Sequence, residues 1–298
     1  MNEAPRDEGE ESDRPGGHGD GADAAAGGGA AAGGADATGA AGTAAGTGAT
    51  AGAARPSLPL PALTRDIDGL TLRLRPGGAV QSRMSLRQPD ALDLEYTRLM
   101  MGFLLFQPEP AHIVQIGLGG GSLAKFCHRF LPRARITVVE IDPRVIALRD
   151  EFRIPPDDAR LTVVQGDGAD FVRANAQTAD VLLLDGYDDN GLPARLRGRE
   201  FFEDCRRCLR HHGILVANLH RQAADYSPCL YDLMALFPSG LLEVADEDLA
   251  NSIVYASAAD LAGRLRADAI LRPDNLAKEA WRQLMPTFRM IAATMALR

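Results

Sequence analysis

The chain has 298 residues, with 32 lysines and arginines against 40 acids, and a net charge of −8. Nine of those acids and only two arginines lie in residues 1–54, so the remaining body is almost neutral, at −1. This balance gives no bulk-charge argument for binding nucleic acid or an anionic membrane. No stretch reaches the roughly 18 consecutive apolar residues of a membrane span. We therefore expect neither nucleic acid nor membrane as a partner.

Residues 1–54 consist mainly of Ala, Gly, Thr and acids, without a periodic apolar pattern. Such a segment buries too little apolar surface to offset the entropy of ordering, which predicts a disordered tail. It lacks the basic start and continuous apolar core of a signal peptide. The cysteines are therefore expected to be reduced thiols, and the protein to be cytoplasmic. The cysteines are Cys127, Cys205, Cys208 and Cys229.

Residues 55–89 are predicted to form a small N-terminal β region. Short apolar runs at 70–74 and 79–82 flank a Pro-Gly-Gly turn, a pattern typical of a β-hairpin. From 90 to 106 the apolar residues recur at helical spacing until Pro108 and Pro110 end the pattern. This region predicts a hairpin followed by a helix.

Residues 90–298 are predicted to form one Rossmann-like, nucleoside-binding catalytic domain ending in helices. Apolar strands alternate with amphipathic helices, which indicates a parallel sheet covered on both faces. A closing antiparallel pair is predicted at 241–244 and 252–256, as in class I methyltransferase-like α/β folds. The parallel strands are predicted at 113–118, 136–141, 161–165, 181–185 and 214–219, and the helices near 122–131, 143–152, 168–175, 199–210 and 225–236.

Glycines and acids follow the predicted strands at the edge where open parallel sheets bind ligands. An acid, Glu140, lies 23 residues after Gly117, and such an acid can accept hydrogen bonds from ribose hydroxyls. We therefore predict an adenosine-containing ligand. The residues at this edge are Gly117, Gly119 and Gly121 after the first strand, Glu140 and Asp142 on the second, Asp167 and Gly168 after the third, and Asp185 and Asp188 after the fourth.

The spacing Gly117, Gly119, Gly121 gives GxGxG, whereas a dinucleotide fingerprint has GxGxxG and Ser122 takes the place of its last glycine. This favours an S-adenosyl nucleoside over NAD. Asp142 precedes Pro143 and is better interpreted as a helix N-cap than as a ligand group. For Asp167, capping and binding remain equally open.

Other polar residues carry weaker signals. Cys205 and Cys208 form a CxxC pair on a predicted helix with no second pair, so no metal site is predicted. His220 lies at the carboxyl end of the fifth predicted strand, where contact with a ligand is one interpretation.

Several motifs together resemble the spermidine/spermine synthase, or aminopropyltransferase, family over about residues 66–256. That resemblance implies transfer of an aminopropyl group from decarboxylated S-adenosylmethionine, a cosubstrate and not a tightly bound cofactor, to a diamine such as putrescine. It also implies a homodimer. The motifs lie at 117–123, 138–143, 165–171, 183–188, 200–202 and 213–216.

The resemblance also implies roles for individual residues. Glu140 would hold the ribose hydroxyls, Asp167 with Gly168 would face the adenine, and Asp185 would be the catalytic residue. Binding of the amine is implied for Asp188 and Gln81, and Tyr187 is expected to line the same pocket.

The chain also departs from the family's pattern. Gly120 stands where the family carries an aspartate, and Arg83, Met84 and Arg87 occupy a segment where it carries acids. Two other functions therefore stay open: methyl transfer from S-adenosylmethionine, and nucleoside binding without turnover.

Overall fold

The computed structural model describes residues 61–73, 78, 80–188, 191–265, 272 and 276–297. All of them belong to one unit, Pro56–Arg298. The predicted disordered tail lies outside the described residues, as does most of the predicted Pro-Gly-Gly turn. Within the described part, every helix is too short or too polar to cross a membrane.

The N-terminal region is a three-stranded antiparallel sheet, one strand larger than the predicted hairpin. Leu70, Leu72 and Met84 are buried, and β3 alternates buried and half-buried residues as a half-buried strand requires. The first strand is mostly exposed, so its residues show no apolar alternation to reveal it. The strands are β1 (Ala62–Arg65), β2 (Gly69–Arg73) and β3 (Ser82–Ser85).

The main sheet has seven strands in the order β6-β5-β4-β7-β8-β10-β9. The first five of these in chain order pair in parallel, and the last two are antiparallel, which confirms the predicted class I methyltransferase-like α/β topology. The strands are β4 (His112–Ile116), β5 (Arg135–Glu140), β6 (Leu161–Gln165), β7 (Ala179–Leu184), β8 (Leu209–His220), β9 (Leu241–Ala245) and β10 (Asn251–Ala256).

Two predicted helices are shorter than expected. The helix predicted at 90–106 continues as a 3-10 helix over Met101–Leu105, and the one predicted at 143–152 is α-helical only to Ile146. Beyond it, turns bury Phe152 and Ile154 against the glycine loop. The helices are α1 (Glu95–Met100), α2 (Ser122–Phe130), α3 (Pro143–Ile146), α4 (Gly168–Ala174), α5 (Arg199–Cys208), α6 (Tyr226–Leu236) and α7 (Lys278–Ala296), with 3-10 turns at Ala194–Leu196 and Ala262–Arg264.

Alternate residues of the central strands enter two separate apolar cores. On β4, Ile113 joins the core shared with α1, α2 and α7, while Val114 and Ile116 join the core under α4, α5 and α6. Both faces are therefore closed, and the carboxyl edge is where the strands lead into polar loops.

The C-terminal helix α7 should be an integral part of the fold. Phe288 is 1 % exposed on α7, within the core that α1 shares. We expect Phe288→Ala to lower the free energy of unfolding by about 3–5 kcal/mol, because it leaves a cavity. Equilibrium urea unfolding measures this loss. The neighbouring exposed residue supplies a matched control, Arg289→Ala, and equal effects of the two changes would contradict this packing.

Candidate active site

The glycine loop begins where β4 and β7 come together. Gly117 has φ +91°, and a Cβ there would lie 2.2 Å from the backbone oxygen of Asp185. Only glycine fits both this conformation and this contact. The loop predicted to hold the nucleoside therefore lies directly beside the predicted catalytic residue.

Glu140 fastens the glycine loop to the turn after β5. Its side chain is 8 % exposed, and its two oxygens accept hydrogen bonds from the backbone N–H groups of Leu118 and Asp142, each at 2.8 Å. Burial raises the pKa of Glu140, while these two bonds act in the opposite direction. A carboxylate can accept about four hydrogen bonds, so ribose hydroxyls can donate to the acceptor positions that the backbone N–H groups leave open.

Asp142 and Asp167 both cap helices. Asp142 accepts from the backbone N–H of Arg144 at the start of α3, which confirms its predicted capping role. Asp167 accepts from the N–H of Ala169 at 2.8 Å, and its other oxygen accepts from Arg195 at 2.5 Å. The capping interpretation of Asp167 is thus confirmed. An adenine that contacts Asp167 would share its carboxylate with Arg195.

Gly168 places the start of α4 against the sheet. A Cβ at this residue would lie 2.3 Å from the side chain of Ile116 on β4. The glycine is therefore required by packing, whatever contact its backbone makes with a nucleoside.

Asp185 lies between two neutral donors at the end of β7. Its carboxylate accepts from the amide of Asn218 at 3.0 Å and from the hydroxyl of Tyr96 at 3.3 Å. Burial raises the pKa of Asp185, and the two bonds partly offset that rise. The same Tyr96 hydroxyl lies 3.3 Å from the backbone oxygen of Gln81, so Gln81 reaches the site through its main chain.

Tyr187 connects the loop after β7 to the end of β8. Its hydroxyl donates to the backbone oxygen of Asn218 at 2.8 Å and accepts from the N–H of His220 at 2.9 Å. Its ring stacks on the His220 imidazole, with centroids 3.6 Å apart. Burial lowers the pKa of His220, which favours a neutral ring.

Asp188 occupies a tight turn. Its backbone N–H and oxygen pair with Gly191, while residues 189–190 lie outside the described part of the chain. The turn brings Asp188 to the same edge of the sheet as Asp185, three residues earlier.

The loop has no space for the aspartate that the family carries at position 120. A Cβ on Gly120 would lie 2.6 Å from the Ser82 hydroxyl and 2.8 Å from the Phe152 ring. Both neighbours are buried, so neither moves aside easily. The absence of this carboxylate is therefore built into the surrounding packing.

The two arginines of the segment 81–88, Arg83 and Arg87, are neutralised by nearby acids. Arg83 pairs with Asp93 and lies 3.7 Å from Asp66, and Arg87 lies 3.5 Å from Asp68. These cations therefore replace the family's acids without adding net positive charge to the site.

The structure thus brings the predicted residues to one edge as two adjoining groups. The glycine loop, Glu140 and Asp167 form one; Gln81, Asp185 and its neighbours form the other. Sequence reasoning missed Arg195 and Asn218. A polar residue inside the apolar run 213–219 was the available signal for Asn218, whereas Arg195 lies in a stretch without periodicity.

Comparisons with known proteins agree with the motifs. The spermine/spermidine synthase domain model matches residues 93–225. The polyamine aminopropyltransferase from Chromobacterium violaceum is 39% identical to this chain over 178 residues, and the one from Neisseria meningitidis is 39% identical over 179 residues. Each alignment covers 59% of this chain and 68% of the relative.

Solved structures share the fold. A probable spermidine synthase from Corynebacterium glutamicum superposes with a TM-score of 0.59 at 24% identity, covering 76% of this chain and 83% of that one. Human methyltransferase-like protein 13, in complex with SAH, gives 0.51 at 23% identity, covering 68% and 93%. At these identities the likeness concerns architecture alone.

The close packing around Gly120 predicts that a side chain at this position destabilises the fold. Gly120→Ala should lower the free energy of unfolding by about 1–3 kcal/mol, because the added methyl overpacks Ser82 and Phe152. Chemical denaturation at equilibrium measures the change.

Gly166→Ala is the matched control, since a Cβ there meets only Val139, at 3.8 Å. This control should stay within about 0.5 kcal/mol of the parent protein. A Gly120→Ala protein as stable as the control would show that the loop has room for a side chain.

Proposed function

The chain belongs to the spermidine/spermine synthase family, and from this membership we propose that it transfers an aminopropyl group from decarboxylated S-adenosylmethionine to a diamine such as putrescine. The fold and the enzyme class follow from the family. The choice of donor and acceptor is our proposal, as are a cytoplasmic location, a homodimeric assembly and the lack of a tightly bound cofactor.

One observation supports this proposal most directly: Asp185 is a half-buried carboxylate beside the glycine loop, and its side-chain hydrogen-bond donors among the described residues, Tyr96 and Asn218, are both neutral. A diamine is cationic at neutral pH, and its attacking nitrogen must lose a proton first. Burial raises the pKa of Asp185, which makes it a better proton acceptor than an exposed aspartate.

The proposed transfer couples deprotonation of the amine to displacement of sulfur from carbon. The attacking ammonium gives one proton to Asp185 and becomes a neutral amine. Its lone pair forms a bond to the propyl carbon attached to sulfur, and the carbon–sulfur bond breaks with its electron pair moving to sulfur. The products are methylthioadenosine, a neutral thioether, and a secondary ammonium. Alignment of the amine with the departing sulfur accounts for much of the acceleration.

The donor would occupy the first group of residues. We propose that the ribose hydroxyls donate to Glu140 and that the nucleoside lies along Gly117, Gly119 and Gly121. The adenine would face Asp167 and Gly168. On the acceptor side, Gln81, Tyr187 and Asp188 would surround the amine near Asp185.

Asp185→Asn should slow transfer strongly, because an amide of the same shape cannot take up the proton. We expect methylthioadenosine and spermidine from decarboxylated S-adenosylmethionine and putrescine with the parent protein. With the variant, the rate should fall by about 100-fold or more. Chromatography of the reaction mixture quantifies both products.

Donor binding by Asp185→Asn, measured by calorimetry, is the control for an intact site. If the parent protein forms no more methylthioadenosine than the variant does, aminopropyl transfer is wrong. Nucleoside binding without product under those conditions would support the non-catalytic alternative.

Methyl transfer from S-adenosylmethionine is the second candidate, favoured by one observation. Gly120 removes the loop carboxylate and is sterically fixed, so this chain's loop would not repel a donor that retains its own carboxylate.

Competitive calorimetry separates the two donors. We expect decarboxylated S-adenosylmethionine to bind more tightly, since its extra net positive charge is attracted by Asp185 and the neighbouring acids. Tighter binding of S-adenosylmethionine, together with S-adenosylhomocysteine as a product, would instead identify a methyltransferase.

A further inference from the structure

A second group of carboxylates lies at the same edge of the sheet, where Asn251, after the β9–β10 turn, pairs with His220 at the end of β8. Glu95 opens α1 and directly precedes Tyr96, whose hydroxyl contacts Asp185. The turn between β9 and β10 approaches it, and the backbone N–H of Glu247 donates to Glu95 at 3.4 Å. Asp246 precedes Glu247 in that turn.

In the part of the chain that the structure describes, these acids are close to cationic side chains but not paired with them. Within the described ranges, neither Glu95 nor the two acids of the turn forms an ion pair with an arginine or lysine. Burial raises the pKa of Glu95, and the charges of Glu247 and Asp246 raise it further. The nearby Arg98 donates to two backbone oxygens instead. Negative charge therefore accumulates here, and the charge of Arg98 and the Glu247 N–H offset it only in part.

Asp246 shapes the turn that presents this charge. Its oxygens accept from the backbone N–H groups of Ala250 and Asn251 and from the Asn251 amide. Hydrogen bonds within the turn thus hold the cluster in place. The carboxylates of Glu95 and Glu247 are the members that can accept further hydrogen bonds from a ligand.

An independent observation points to a bound N–H donor beside Asp185. Asn218 is 1 % exposed, and its amide oxygen is buried without a hydrogen-bond partner among the described residues. The amide nitrogen of this side chain contacts Asp185, so the unpaired oxygen lies beside the catalytic carboxylate. A buried unpaired oxygen is costly, and a bound ammonium would satisfy it.

We propose that Glu95, with Glu247, binds the second ammonium of the acceptor, while its attacking nitrogen lies between Asp185 and the Asn218 amide oxygen. This inference rests on the proposed function and names what selects a diamine over a monoamine. On the N-terminal side, the acids Asp93 and Asp68 are already paired with Arg83 and Arg87.

Glu95→Gln tests this subsite, since it removes the charge while keeping the shape and an acceptor for the Glu247 N–H. With putrescine we expect KM to rise about tenfold with little change in kcat. With n-butylamine, which lacks the second ammonium, neither constant should change. A smaller difference in KM between putrescine and n-butylamine in Glu95→Gln than in the parent protein is the result specific to this subsite.

Glu109→Gln is the matched control, because Glu109 is an exposed glutamate that precedes β4, near the opposite edge of the sheet. Identical behaviour of Glu95→Gln and this control towards both amines would overturn the inference while leaving aminopropyl transfer intact.

Putrescine binding to protein saturated with methylthioadenosine, measured by calorimetry, gives the same comparison without turnover. Weaker binding by Glu95→Gln alone would support the subsite even if no product forms, in which case only the proposed reaction fails.

Discussion

The contact between Gly117 and the backbone of Asp185 is the constraint on which the rest of the site depends. The Asp185 N–H donates to Ile116 at 3.0 Å, and its own oxygen occupies the space that a side chain at Gly117 would need. The two strand ends can meet only because one residue is glycine. The proposed nucleoside loop and the carboxylate are therefore adjacent through main-chain geometry, and group transfer requires that adjacency.

Residues predicted to bind the donor also hold this edge of the sheet together. Glu140 satisfies two backbone N–H groups, and Asp167 caps α4 while pairing with Arg195. Capping and ligand binding are therefore not exclusive alternatives for an acid that follows a strand. A substitution at either residue would change loop structure as well as affinity, which makes kinetic effects at Asp185 the cleaner guide to chemistry.

Local sequence patterns were enough to predict the sheet and the functional residues at its carboxyl edge. Apolar runs indicate buried strands directly, and glycines indicate where two backbone segments approach closely. Helix length was predicted less well: after Ile146 the burial of Phe152 and Ile154 against the loop outweighs helical periodicity. The partners of the acids could not be predicted. Asn218 meets Asp185 across 33 residues and Arg195 meets Asp167 across 28, and such pairs exist only once the strands are ordered.

Two departures from the family's pattern are coupled through one strand. Successive residues of β3 face opposite sides, so Ser82 and Met84 point inward while Arg83 points outward. The inward Ser82 closes against Gly120 and excludes a loop carboxylate. The outward Arg83 forms ion pairs with Asp66 and Asp93, and as a cation it does not bind an ammonium. Because the N-terminal side of the site has lost these acids together, the proposed binding of a diamine's second ammonium is left to α1 and the β9–β10 turn.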